Sequence, residues 1–151
     1  MLGWLGFVVL CNGVGFLSAV LGTDPVLYEH LVRPSWAPPP SLFGPVWTAL
    51  YILMGTATFL IWRHCRGDDR RRALTIFGVQ LALNFAWTPV FFGLQRYGLA
   101  IVVIVANAIA VLVMMVAYGR RVRLAGILVV PLLVWVSFAT ALNIAIWWLN
   151  R

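Results

Sequence analysis

The sequence predicts an all-α membrane protein, a bundle of five transmembrane helices formed by a single domain over residues 1–151. Three observations carry this. The chain is 63% hydrophobic and 10% charged, with a mean hydropathy of +0.96, too apolar for a water-soluble globule. Its apolar residues gather into five runs of about 20 residues, the length a helix needs to cross a hydrocarbon core roughly 30 Å thick. Its eleven basic residues are all arginine and fall between those runs, so the net charge of +7 reads as a topology signal and not as a nucleic-acid surface. Helix is the required conformation, because lipid offers backbone N–H and C=O groups no partners.

The first run spans residues 2–22. No basic residue precedes Leu2, and Asn12, Gly13 and Gly15 interrupt the apolar stretch, so it reads as a retained span and not as a signal peptide. An external loop over 23–42 follows, carrying Asp24, Tyr28, Glu29, His30 and Arg33. His30 has no second histidine or cysteine near it, so it reads as a solvated side chain and no metal is expected. The loop runs into PSWAPPPSLFGPVWTALY, Pro34 to Tyr51, whose prolines enforce an extended, stiff backbone around Trp36. Helix is expected from Phe43, with Pro45 in its first turn, where a missing N–H has no partner to lose. This second span covers 43–62.

The third run, 73–92, carries Gln80, Asn84 and Thr88 four residues apart, hence on one helical face. Polar groups at bilayer depth are costly, so that face turns toward the bundle interior or a cavity. Gly78, Ala82 and Ala86 form a second stripe, displaced around the helix, where small side chains let another helix approach closely. Pro89 is expected to loosen the end of this helix. The fourth run, 98–118, has Asn107 as its strongly polar residue, read as an interhelical hydrogen bond. The fifth, 124–149, contains Pro131, Ser137, Thr140 and Asn143. Cys11 and Cys65 have neither disulfide nor metal spacing.

PSWAPP, GPVWTALY, QLALNFAWTPVFFG and PLLVWVSFATALN resemble, in the same order along the chain, segments of the translocator protein family (TspO/MBR), also called tryptophan-rich sensory proteins or peripheral benzodiazepine receptors. The resemblance covers nearly the whole chain and implies a multi-pass protein of the cell membrane, usually a homodimer, with a pocket for porphyrins such as protoporphyrin IX and for isoquinoline or benzodiazepine ligands. Carried over by motif, the ligand-binding residues are Tyr28, Trp36, Trp47, Asn84, Trp87, Trp135, Ala139 and Leu142. A homodimer seam is expected on the Gly78, Ala82 and Ala86 stripe. The family's carboxyl-terminal sterol motif is broken here, because Ile144 stands where that motif needs tyrosine, and the sequence leaves sterol binding open.

Porphyrin chemistry suits such a set: a flat π-system wants aromatic faces, and its carboxylates want a cation near the mouth, for which Arg33 is placed. Trp4, Trp62, Trp147 and Trp148 lie near span ends and read as interfacial anchors. The runs hold no acid, base or metal constellation, so no catalytic residue is assigned and a binding protein is expected. The alternative is a porphyrin-degrading enzyme that draws on light or oxygen, an activity the resemblance also allows.

Arginine placement sets the orientation. Arg63, Arg66, Arg70, Arg71, Arg72, Arg120, Arg121 and Arg123 lie on the side of the amino terminus, against Arg33, Arg96 and Arg151 on the other, so the amino terminus is expected in the cytoplasm. A cysteine placed at Ser41, with Cys11 and Cys65 removed, should therefore react with an impermeant maleimide outside intact cells. Labelling that requires lysis would reverse the assignment.

Overall fold

The computed structural model describes residues 2–22 and 27–151. Asp24 and the start of the loop after the first span lie outside them. The described residues form six α-helices, α1 (Leu2–Gly22), α2 (Leu27–His30), α3 (Pro40–His64), α4 (Gly67–Thr88), α5 (Tyr97–Gly119) and α6 (Arg123–Leu149), with a π-helical turn, Pro89–Gly93, extending α4. There is no strand among them. Five of these helices, with α4 counted through Gly93, are long and apolar enough to cross a membrane.

The helix ends differ from the apolar runs for local reasons. Pro39 is extended (φ −65°, ψ 149°) and Pro40 takes the first helical position, so α3 starts three residues before Phe43. Pro45 therefore sits inside the helix and not in its first turn. The carbonyl it cannot serve, that of Ser41, belongs to an exposed residue where water can replace the missing donor. At the opposite end, Gly67 turns the chain with φ +55°. The first turn of α4 carries Asp68 and Asp69, whose charges suit the positive end of the helix dipole. The short helix α2 lies within the stretch read as loop. Arg121 reaches Asp69 at 2.7 Å, joining the turn between α5 and α6 to the start of α4, so these arginine-bearing turns share one end of the bundle.

Packing follows the apolar faces. Helix α5 lies along both α4 and α6, while α3 lies along both α1 and α6. The core between them holds Cys11, Met54, Ile61, Val111, Met114, Tyr118 and Val129, all buried. Close approach of α1 and α3 depends on Gly55, where a Cβ would stand 2.9 Å from the backbone of Val8. The interhelical role expected of Asn107 is present, since it bonds to both Gln80 (3.2 Å) and Asn84 (3.1 Å).

Pro89 loosens α4 as expected, and the structure shows what compensates. Proline has no N–H for the carbonyl four residues back, which is that of Phe85. The buried Ser18 hydroxyl of α1 donates to that carbonyl at 2.7 Å. The contact is possible because Gly22 lets α1 reach the Pro89 turn, where a Cβ would stand 2.6 Å from the Pro89 nitrogen.

Ser18→Ala should thus lower stability by about 1–3 kcal/mol, the cost of an unsatisfied buried acceptor. In a Pro89→Ala background, where an N–H can return to Phe85, the same substitution should cost clearly less. Unfolding in detergent checks both. Equal costs in the two backgrounds would mean that Ser18 does not stand in for the missing backbone donor.

Candidate functional site

Each wall of the site comes from helical spacing. Trp47 and Tyr51 are four residues apart on α3 and stack at 5.4 Å with an interplanar angle of 27°. Asn84, Trp87 and Thr88 share a face of α4, and the π turn then carries Phe91 inward, 5.1 Å from Trp87. On α6, Ala139, Leu142, Asn143 and Ile146 follow the same rule. Between these faces, with Asn12 and Gly15 of α1, lies a cavity of about 620 Å³, within the range of roughly 300–1,000 Å³ common for small-molecule sites.

Six of the eight residues assigned from the sequence line this cavity: Tyr28, Trp47, Asn84, Trp87, Ala139 and Leu142. Trp36 does not; it is 49% exposed and sets its ring edge-on to Phe138 at 5.7 Å. Trp135 stands behind the wall, edge-on to Trp47 (6.5 Å) and to Phe43 (6.0 Å), so it supports the lining without forming it. Sequence reasoning missed Tyr51, Phe91 and Asn143 as lining residues. For Tyr51 the signal was there, one helical turn beyond Trp47.

The polar groups form two systems. In the first, Gln80 Nε2 donates to Asn107 Oδ1 (3.2 Å), Asn107 Nδ2 to Asn84 Oδ1 (3.1 Å), and Asn84 Nδ2 to Tyr51 Oη (2.8 Å). In the second, Trp87 Nε1 donates to Asn143 Oδ1 (3.0 Å), and Asn143 Nδ2 donates to the Tyr97 carbonyl (3.2 Å). Among the described residues, the buried atoms Gln80 Oε1 and Trp135 Nε1 have no partner.

Over the end of the cavity sits the loop between α1 and α3. Tyr28 is buried, meets Phe43 edge-on at 5.4 Å and donates its hydroxyl to the Pro38 carbonyl at 3.2 Å. Burial pushes the Tyr28 phenol above its usual range, against the opposing pull of Arg33, whose guanidinium lies 4.7 Å from the ring centre. Asn150 holds the loop from the far end of the chain, accepting from Val32 N (3.0 Å) and donating to Val32 O (2.9 Å). The exposed members of the lining are Phe16 and Ala19 of α1 and Pro40, Gly44 and Thr48 of α3. The open side of the cavity therefore lies between α1 and α3, on the flank of the bundle.

Of the stripe assigned to a dimer seam, Gly78 and Ala82 are exposed and Ala86 is half-buried, so it faces away from the bundle core. Trp148 is 59% exposed, with the Arg151 guanidinium 3.2 Å from its ring centre, and it does not line the cavity. No group of three or more His, Cys, Asp or Glu side chains comes together among the described residues.

Comparison with known proteins places this architecture. A sequence model of the TspO/MBR family matches residues 7–149. The chain is 40% identical over 147 residues to the tryptophan-rich protein TspO of Chlorobaculum tepidum, covering 93% of this chain and 91% of that one. It is 42% identical over 139 residues to the tryptophan-rich protein TspO of Archaeoglobus fulgidus, covering 91% and 90%. Similarity to the translocator protein of Sus scrofa is 37% over 151 residues, covering 95% and 89%. The five-span bundle, with its aromatic cavity under a proline-rich loop, belongs to the TspO/MBR family.

Proposed function

We propose that this chain is a sensor or translocator protein of the cell membrane that binds a tetrapyrrole, such as protoporphyrin IX, in the cavity between α3, α4 and α6. The carrying observation is the cavity itself, enclosed among candidate membrane-spanning helices, walled by Trp47, Tyr51, Trp87 and Phe91 and edged by Asn84 and Asn143. Aromatic faces suit a flat macrocycle. Arg33, half-buried beside Tyr28 at the loop-covered end, suits a carboxylate. The names of relatives, translocator protein and tryptophan-rich sensory protein, support a membrane sensor or translocator. The same slot would take isoquinoline or benzodiazepine-type ligands. We take binding, not porphyrin degradation, as the activity, with no cofactor or metal required; porphyrin absorbance should then persist in a dark, anaerobic incubation with the protein.

Protoporphyrin IX should quench tryptophan emission. Trp47→Ala and Trp87→Ala should each weaken binding several-fold, since losing one stacking face costs about 0.5–1.5 kcal/mol beyond buried area. Ala139→Thr should weaken it by crowding the wall, with helicity unchanged by circular dichroism. Trp148→Ala should leave the affinity as it is. If Trp148→Ala costs as much as the cavity substitutions, quenching reports adsorption of an apolar dye at the interface and the site is wrong.

Two copies are proposed to pair through the outward stripe of Gly78, Ala82 and Ala86, where small residues allow close helix approach. Ala82→Leu should raise the monomer fraction in detergent. An unchanged distribution would move the seam elsewhere.

A further inference from the structure

The arginines at one end of the bundle outnumber the acids that could balance them. Eight of the eleven lie around the turns that join α3 to α4 and α5 to α6, where the carboxylates are Asp68 and Asp69. Among the described residues the ion pair formed there is Arg121 with Asp69, so Arg70 and Arg71 have no carboxylate partner. With Gly67, Leu74 and Thr75 these two line an open groove on the outward surface of α4. The spacing puts Arg70 one helical turn from Leu74 and Arg71 one turn from Thr75. The Thr75 hydroxyl donates back to the Arg71 carbonyl at 3.0 Å, which leaves the guanidinium groups as the donors of the groove. One turn further along α4, Val79 is 54% exposed inside a candidate membrane span. The groove thus leads from two free cations onto an outward apolar surface.

A neighbouring indole sets the level of these cations. Trp62, near the end of α3, is 41% exposed and stacks on Phe59 at 6.2 Å. The Arg70 guanidinium lies 5.7 Å from its ring centre, close enough for a cation–π contact. Exposed indoles at span ends sit where hydrocarbon gives way to headgroups, so Arg70 is held at the height of a lipid phosphate.

We propose that the Arg70 and Arg71 groove is a docking site for an anionic phospholipid of the phosphatidylglycerol class, with its phosphate at the two guanidinium groups and an acyl chain along Leu74 and Val79. A planar guanidinium matches two phosphate oxygens at once, which a point charge does not. A zwitterionic headgroup offers the same phosphate but brings a fixed ammonium into the field of the arginine-rich end, and that repulsion separates the two lipid classes. A free phosphate has no chain for Leu74 and Val79 to cover. The site lies outside the aromatic cavity and does not depend on what that cavity binds.

The test titrates the full chain in detergent with phosphatidylglycerol and with phosphatidylcholine of the same acyl chains, counting retained lipid by native mass spectrometry. The wild type should prefer phosphatidylglycerol. Arg70→Gln combined with Arg71→Gln should reduce that preference by roughly tenfold or more, the weight of two cations beside an anionic headgroup. Arg120→Gln combined with Arg123→Gln removes the same charge from the same end without touching the groove, and should leave the preference largely intact. Equal losses in the two double variants would make the preference a matter of net charge, and a wild type without preference would have no such site; either result overturns the proposal. Excess inorganic phosphate should not displace the lipid, and displacement would assign the groove to a free anion instead. A measurement on the unaltered arginines covers misfolding of the variants. Phosphatidylglycerol brominated near the top of its chain should quench Trp62, read as the part of the quenching that Trp62→Phe removes, and phosphatidylcholine brominated at the same position should quench it less. Equal quenching by the two lipids would place no anionic headgroup at the groove and would also overturn the proposal.

Discussion

Amides buried in a membrane protein must find their hydrogen-bond partners inside the protein, and that constraint sets the rotation of three of the five spans. The chain from Gln80 to Tyr51 joins α4, α5 and α3 through residues that are all buried. Its direct energetic value is small: side-chain hydrogen bonds between membrane helices contribute about 0.6 kcal/mol each on average, so three give roughly 2 kcal/mol. The cost of misplacing the groups is larger. Rotating any of these helices until its amide faced hydrocarbon would cost several kcal/mol for each unsatisfied polar group. Packing therefore supplies most of the stability, and the amides decide which packing is adopted. Once α3 and α4 are turned so that Tyr51 meets Asn84, Trp47 and Trp87, one turn away on the same faces, must line the space between them.

A second constraint acts at the other end of α4. Pro89 removes a backbone donor and widens the helix into a π turn, which redirects the chain so that Phe91 packs against Trp87, Phe92 and Tyr97. Bulges of this kind are costly unless the freed carbonyl finds a donor. Ser18 provides one from α1. A helix to which the sequence assigned no ligand residue thus holds the end wall in place, and a polar residue in a run of mean apolar character has a structural assignment that its own neighbours do not reveal.

What the sequence made legible follows from the range of the forces involved. Five spans were readable because membrane crossing imposes a length on each run separately, and the two ends of α5 and α6 fall within one residue of the apolar runs. The inward face of Gln80 and Asn84 was readable because burial of amides is forced whatever the partner. The start of α3 at Pro40 was less so, because the first-turn tolerance for proline applies to Pro40 and to Pro45 equally until the backbone around Pro39 is known. The four residues of α2 carry too little periodicity to separate helix from loop. Trp36 and Trp135 show the limit for aromatics: both sit within a few residues of the cavity along the chain, but an indole is equally suited to lining a space and to backing its wall. Tyr51 was legible as a wall residue, one turn beyond Trp47, but its polar partner was not, and Asn143 was hidden altogether: those roles depend on Asn84 and Trp87, which lie 33 and 56 positions away.

On the binding proposed above, the geometry also imposes an order on molecular selection. The end of the cavity near the loop between α1 and α3 is covered by Tyr28, which is pinned to Pro38, while Asn150 clamps both backbone groups of Val32. The uncovered rim, formed by Phe16, Ala19, Gly44 and Thr48, faces the flank of the bundle. A molecule that reaches the cavity by the flank has first dissolved in the bilayer, a step that favours apolar bodies at about 25 cal/mol for each Å² of apolar surface withdrawn from water. That gain is already realised in lipid, so transfer from lipid to cavity adds little of it. Discrimination inside the cavity must then come from terms that lipid cannot supply: stacking against fixed indole faces, and hydrogen bonds to groups whose orientation is set before the ligand arrives. The aromatic pair on α3 and the polar chain behind it supply these two terms from a single face, because Trp47 and Tyr51 stand one helical turn apart.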